Sequence, residues 1–157
     1  MRPERIPIGL QLNRASRLVG RAFDEALGDA GGSLPVWLVL LNLKIRRVAS
    51  QRELAEAVGV TAPTLTHHLG ALEAGGLLVR RRDPGDRRNH IIELTERGEE
   101  AFVRLREAAA AFDARLRAGF EPGELAALGA ALQRLSANVA DPAAGPEWSG
   151  IIEPKAR

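Results

Sequence analysis

The chain has 157 residues, 45% hydrophobic and 27% charged, with no Cys; this suits one soluble domain with or without an association layer, and excludes disulfides, thiolate zinc sites and thiol redox sensing. The net charge of +2 does not point to a polyanion, but between Arg80 and Arg88 five arginines stand against Asp83 and Asp86, a net +3 that leaves −1 for all other residues. No apolar run follows Met1-Arg2-Pro3-Glu4-Arg5, and the longest, Leu34 to Leu41, is too short for a bilayer, so the expectation is a cytoplasmic protein without signal peptide or membrane contact.

Ile8, Leu12, Ala15, Val19 and Ala22 step by fours and threes, and Leu18, Phe23 and Leu27 widen the stripe. This predicts a helix of about five turns, ended by Gly28, Gly31 and Gly32. A second helix, apolar on nearly every side and therefore central, is predicted from Leu34 to Ile45. Ser50-Gln51-Arg52-Glu53 is a capping box opening a short helix that breaks at Gly59. Thr61 caps a fourth helix with Pro63 in its first turn, Leu65, Leu69 and Leu72 on its buried face, and Gly75-Gly76 at its end. Leu77 to Arg82 reads as a strand, Asp83 to Asp86 as a turn and His90 to Leu94 as the return strand. Thr95 to Glu99 opens a long helix with the stripe Phe102, Leu105, Ala109, Phe112 and Leu116. Pro122-Gly123 opens a last one carrying Leu125, Leu128, Leu132, Leu135 and Val139. The tail after Asp141, with Trp148 and Ile151-Ile152, docks or frays.

Gln51 to Leu72 meets the needs of a helix–turn–helix. Ala55 is small where the second helix crosses the first, Gly59 tolerates the positive φ of a tight turn, and Leu65 anchors the second helix. Leu54 and Val58 complete the buried face of the first helix. An Arg-rich hairpin follows at once, and that order is a winged helix. At about 100° per residue, Pro63, His67 and Gly70 fall opposite the leucines of the second helix, flanked by Thr64 and Thr66. Hydroxyls and an imidazole donate and accept, and Thr methyls can touch thymine. The helix starts at Ser50 and Thr61 suit a phosphate. Arg87 and Arg88 sit past a Pro-Gly turn, at a protruding tip suited to a narrow minor groove. Asp86 is placed to orient Arg88. Arg80, Arg81 and Arg82 alternate sides, so one or two of them, Arg82 included, can follow phosphates.

The stretch Leu34 to Phe102 resembles the MarR family of winged-helix transcription regulators. The residues are Trp37 in an apolar helix, Ser50-Gln51-Arg52-Glu53-Leu54-Ala55, Pro63-Thr64-Leu65-Thr66, Leu72-Glu73 with Gly76-Leu77, Asp83-Pro84-Gly85-Asp86-Arg87-Arg88-Asn89, and Leu94-Thr95-Glu96-Arg97-Gly98. The resemblance implies DNA contact by Arg88 or Arg87 in the wing and by Pro63 to His67 in the recognition helix. It also implies a small aromatic or anionic effector bound near the junction where Trp37 lies. Where the family commonly carries Arg after Thr-x-Thr, this chain has His67-His68, and a neutral imidazole contacts phosphate or guanine more weakly. His68 falls beside the buried arc.

The expected fold is mainly α: a winged helix-turn-helix with a two-stranded wing, flanked by N- and C-terminal dimerisation helices. The segments are 1–32 (first dimerisation helix), 33–98 (winged helix), 99–141 (C-terminal dimerisation helices) and 142–157 (tail). The first and last two helices carry stripes of heptad period, which face a partner helix most simply in a homodimer. A twofold dimer reads an inverted repeat in double-stranded DNA. Adjacent His67 and His68 have no acidic or thiol neighbour, so no metal is expected. No nucleophile motif or phosphate-binding Gly loop marks an enzyme, and no cofactor is expected. The competing reading is a dimeric small-molecule-binding or interaction module without DNA binding.

Overall fold

A computed structural model describes residues 6–45, 51–85 and 90–140, which form, in chain order, four helices, one antiparallel hairpin and two further helices. Helix α1 runs Ile8–Asp29, and Gly31 beyond it takes a φ of 82°. Helix α2, Leu34–Ile45, begins under two caps. The Ser33 hydroxyl accepts from the Val36 N–H at 3.4 Å, and Asp24 of α1 accepts from the Leu34 N–H at 2.9 Å. Its all-round apolarity predicts a central helix, and Trp37, Val39, Leu40, Asn42 and Leu43 are buried. Asn42 is satisfied by donating to the Leu38 carbonyl at 2.8 Å.

Helices α3, Gln51–Val58, and α4, Ala62–Ala74, form the helix–turn–helix, with Gly59 at φ 75° in the turn. That conformation is costly for any residue with a Cβ. Leu54, Ala55 and Val58 meet Leu65, Leu69 and Leu72 over Val39 and Leu43 of α2. Ser50, the expected cap of α3, lies outside the described residues. Strand β1, Leu78–Arg82, pairs antiparallel with β2, His90–Leu94, in a register that sets Leu78 against Leu94, Arg80 against Ile92 and Arg82 against His90. Leu78 and Ile92 close the helix–turn–helix core.

Helix α5, Glu96–Arg117, builds a second core on the other side of α2, from Leu27, Trp37, Leu40, Ala101, Phe102 and Leu105. Trp37 stacks on Phe102 with centroids 5.7 Å apart, and Phe23 of α1 stacks on Phe112 at 5.0 Å. Part of the α5 stripe is therefore used within the chain, while Leu116 at its end is exposed. Phe102, Leu105 and Phe112 face α1 and α2 of their own chain. The cause lies in α2: a helix apolar all round needs cover on both sides, and α3–α4 cover only one.

By compactness the chain divides into Met1–Leu116 and Arg117–Arg157. In the second unit, helix α6 spans Pro122–Val139, with the Glu124 carboxylate accepting from the Glu121 N–H at 2.9 Å, and none of its residues is buried. In the first unit, Ile8, Leu12 and Val19 of α1 are exposed as well. The tail residues Trp148, Ile151 and Ile152 lie outside the described residues.

Candidate nucleic-acid interface

Helix α4 turns Leu65, Leu69 and Leu72 inward. Thr61, Pro63, Thr64, Thr66 and His67 are all exposed, and His68 is half-buried beside the leucine arc. Pro63 and His67 thus lie outward as the helical wheel predicts, while Gly70, expected on the same face, is half-buried. The hydroxyls on the outer face are already partly engaged. Thr61 caps the helix by accepting from the Thr64 N–H at 3.4 Å, and its Oγ1 lies 2.9 Å from that of Thr64. Thr66 donates its hydroxyl proton to the Ala62 carbonyl at 3.0 Å. It therefore presents a lone pair and a methyl outward, not a donor. The start of α4 is a weaker phosphate ligand than its position suggests. Pro63 contributes no N–H, and Thr61 already holds that of Thr64.

The hairpin sorts its arginines by face. Leu78, Arg80 and Arg82 share one side of β1, because strand side chains alternate. Leu78 is buried in the core that α4 shares, so this is the α4 side. Exposure rises outward along it, from buried Leu78 through half-buried Arg80 to exposed Arg82. Arg80 donates from Nε to Glu73 of α4 at 2.8 Å, and a terminal nitrogen pairs with the same carboxylate oxygen. Arg81, on the other side, pairs with Glu93 at 3.5 Å. Arg82 enters no ion pair among the described residues. Of the three arginines, Arg82 alone is both on the α4 side and exposed. The turn begins with Asp83, which accepts from the Gly85 N–H at 2.8 Å. Asp86, Arg87 and Arg88, the expected tip, lie outside the described residues.

Behind the hairpin is a junction that the sequence reading did not assign. The Thr95 hydroxyl donates to the Gly76 carbonyl at 2.6 Å and accepts from the Gly98 N–H at 3.1 Å. The Thr95 N–H donates to the Leu77 carbonyl at 3.1 Å. A Cβ on Gly98 would run into that same carbonyl. Leu-Thr-Glu-Arg-Gly thus ties the end of the wing, the turn after α4 and the start of α5 together. Glu73 also went unassigned; its signal is an acid placed just before the Gly75-Gly76 turn that leads into Arg80. Trp37, expected near an effector, is only 8% exposed within the second core.

The MarR family model matches residues 31–89, from the turn before α2 into the wing. The chain is also similar to YwoH of Bacillus subtilis (strain 168), an uncharacterized HTH-type transcriptional regulator. The identity is 30% over 110 residues, which cover 70% of this chain and 80% of YwoH. The chain belongs to the MarR family. Among solved MarR-like structures it resembles the transcriptional repressor CouR bound to a 23-mer DNA duplex, with a TM-score of 0.74, 31% identity, and coverage of 82% of this chain and 91% of that one. It also resembles CouR from Rhodococcus jostii RHA1 bound to p-coumaroyl-CoA, with a TM-score of 0.71, 27% identity, and coverage of 83% and 92%. The fold is the MarR winged helix, and the chain is a transcription regulator of that family. Among the described residues no single helix is long and apolar enough to cross a membrane.

Proposed function

We propose that the chain acts as a homodimeric, ligand-responsive repressor that binds a short inverted repeat in double-stranded DNA. One observation carries this reading: the exposed edge from Pro63 to His67 with Arg82 on the α4 side of the wing. A repressor 31% identical that has been seen on a DNA duplex supports it. In this reading Pro63, Thr64, Thr66 and His67 enter the major groove. Thr66 accepts from a base amine or sets its methyl against thymine. Thr61 and Ser50 lie along the backbone, and Arg82 neutralises a phosphate. Arg87 and Arg88 enter the flanking minor groove, with Asp86 orienting Arg88. Segments 1–32 and 99–141 make the dimer, 33–98 grips DNA, and no catalysis is assigned.

The effector is a small aromatic or anionic molecule, and CouR binding p-coumaroyl-CoA supports that class. Lys44 pairs with Glu99 at 2.7 Å and lies 5.6 Å over the Phe102 ring, which stacks on Trp37. An anion that displaces Glu99 from Lys44 would disturb the core that joins α2 to α5. The test is selection of bound sequences from random duplex DNA with the full-length protein, followed by gel shift. The expected product is an inverted repeat with half-sites about 10 bp apart, released by an aromatic acyl-CoA. Failure to enrich any sequence would leave a dimeric module without DNA binding.

A further inference from the structure

Arg80 is poorly placed to meet DNA itself. It stands opposite Ile92 on the α4 side of the hairpin, its side chain 27% exposed, with two of its nitrogens on one oxygen of Glu73. Glu73 is just as unexpected on electrostatic grounds. It sits in the last turn of α4, where the helix dipole disfavours a carboxylate. It also adds a negative charge to the helix that should approach phosphates. Two unfavourable terms at one residue call for a role that outweighs them, and the geometry supplies one. Leu78 and Ile92 hold the hairpin base in the core, and Arg80 is the next residue outward on the same face.

We propose that Glu73 and Arg80 form a strut that fixes the tilt of the wing relative to α4. They are positioning residues: they decide whether the wing tip reaches the minor groove while α4 occupies the adjoining major groove. The strut therefore governs preference for the bases flanking each half-site. This rests on the DNA-binding reading above.

The informative variant is Glu73→Gln, which keeps the shape, because the two possible roles differ in sign. A carboxylate that merely neutralises Arg80 would, on removal, free a cation near DNA. Operator binding would then tighten, and the salt dependence would steepen by about 0.9 in log–log slope. A strut predicts the opposite. Affinity for the selected operator falls about tenfold, through lost preference for the flanking bases. Affinity for random duplex DNA stays within about twofold of wild type, which also shows that the variant is folded. The exchanged pair, Glu73→Arg with Arg80→Glu, should recover flank preference to within about threefold of wild type. Tighter operator binding by Glu73→Gln, or an equal loss on operator and random DNA, overturns the strut. A wild-type protein that binds its own selected DNA no better than random DNA sinks the DNA-binding reading as well, so the two failures are separable.

Discussion

Thr66 stands on the outer face of α4 with its hydroxyl proton already engaged at 3.0 Å by the Ala62 carbonyl. Its outward chemistry is a methyl and a lone pair, so a base contact through the methyl and one through the oxygen can be separated. Thr66→Val keeps the methyl and should hold operator affinity within about twofold, whereas Thr66→Ser should lose discrimination for thymine worth about 1 kcal/mol. Gel shifts on operators with each thymine replaced in turn by uracil report this directly, and a wild-type protein indifferent to every such replacement removes the methyl contact. Arg82 is a different kind of residue. It is exposed, on the α4 side, and without a carboxylate partner among the described residues. Arg82→Ala should weaken specific and random DNA alike and flatten the salt slope by about one, with base preference unchanged. A changed preference would place Arg82 on a base edge.

The start of α5 shows how one element holds another. The Leu77 carbonyl occupies the space where a Gly98 Cβ would go, and it is backbone, so it cannot swing away as a side chain could. Gly98→Ala should cost about 1–3 kcal/mol in urea unfolding. Thr95→Val, which loses the bonds to Gly76 and Gly98, should cost about 1–2 kcal/mol, and Thr95→Ser should lie near wild type. A Thr95→Val protein as stable as wild type would show that the junction is held by packing alone. Much of this architecture was legible in the residues. Period, or for α2 apolarity on every side, locates the helices, and residues such as Thr61 and Gly59 mark where they start and stop. Strand alternation shows that Arg80, Arg81 and Arg82 cannot share one fate. It does not reveal which carboxylate waits on which side, since Glu73 and Arg80 meet only once α4 and β1 are packed. The Thr95–Gly76 bond spans 19 residues and is invisible to local pattern for the same reason. The stripe of α5 has the same limit: periodicity reveals an apolar face but not the owner of the surface that covers it, and Phe102, Leu105 and Phe112 are covered by α1 and α2 of their own chain.

That ambiguity of ownership recurs at the scale of the whole molecule, within the single seam of α1. At its C-terminal end Phe23 and Leu27 pack in the chain's own second core, while Ile8, Leu12 and Val19 along the same stripe are 60%, 42% and 38% exposed. In the other compact unit α6 buries none of its residues, and Leu128 and Leu132 are exposed. Uncovered aliphatics at helical spacing are what an association surface would present, and the proposed binding to an inverted repeat calls for a second copy of the chain as the occupant. Leu12→Glu places a charge in that seam without touching either core, so the fold should survive. By sedimentation the variant should be monomeric at concentrations where wild type is dimeric, with far-ultraviolet circular dichroism unchanged. Its affinity for the full operator should fall about 100-fold, because binding of the second half-site is no longer intramolecular. Its affinity for an isolated half-site should stay at the wild-type value, since Pro63 to His67 and Arg82 are untouched. If Leu12→Glu and Val19→Glu both remain dimeric, the α1 seam is not the dimer contact, and the exposed leucines of α6 become the surface to mutate next.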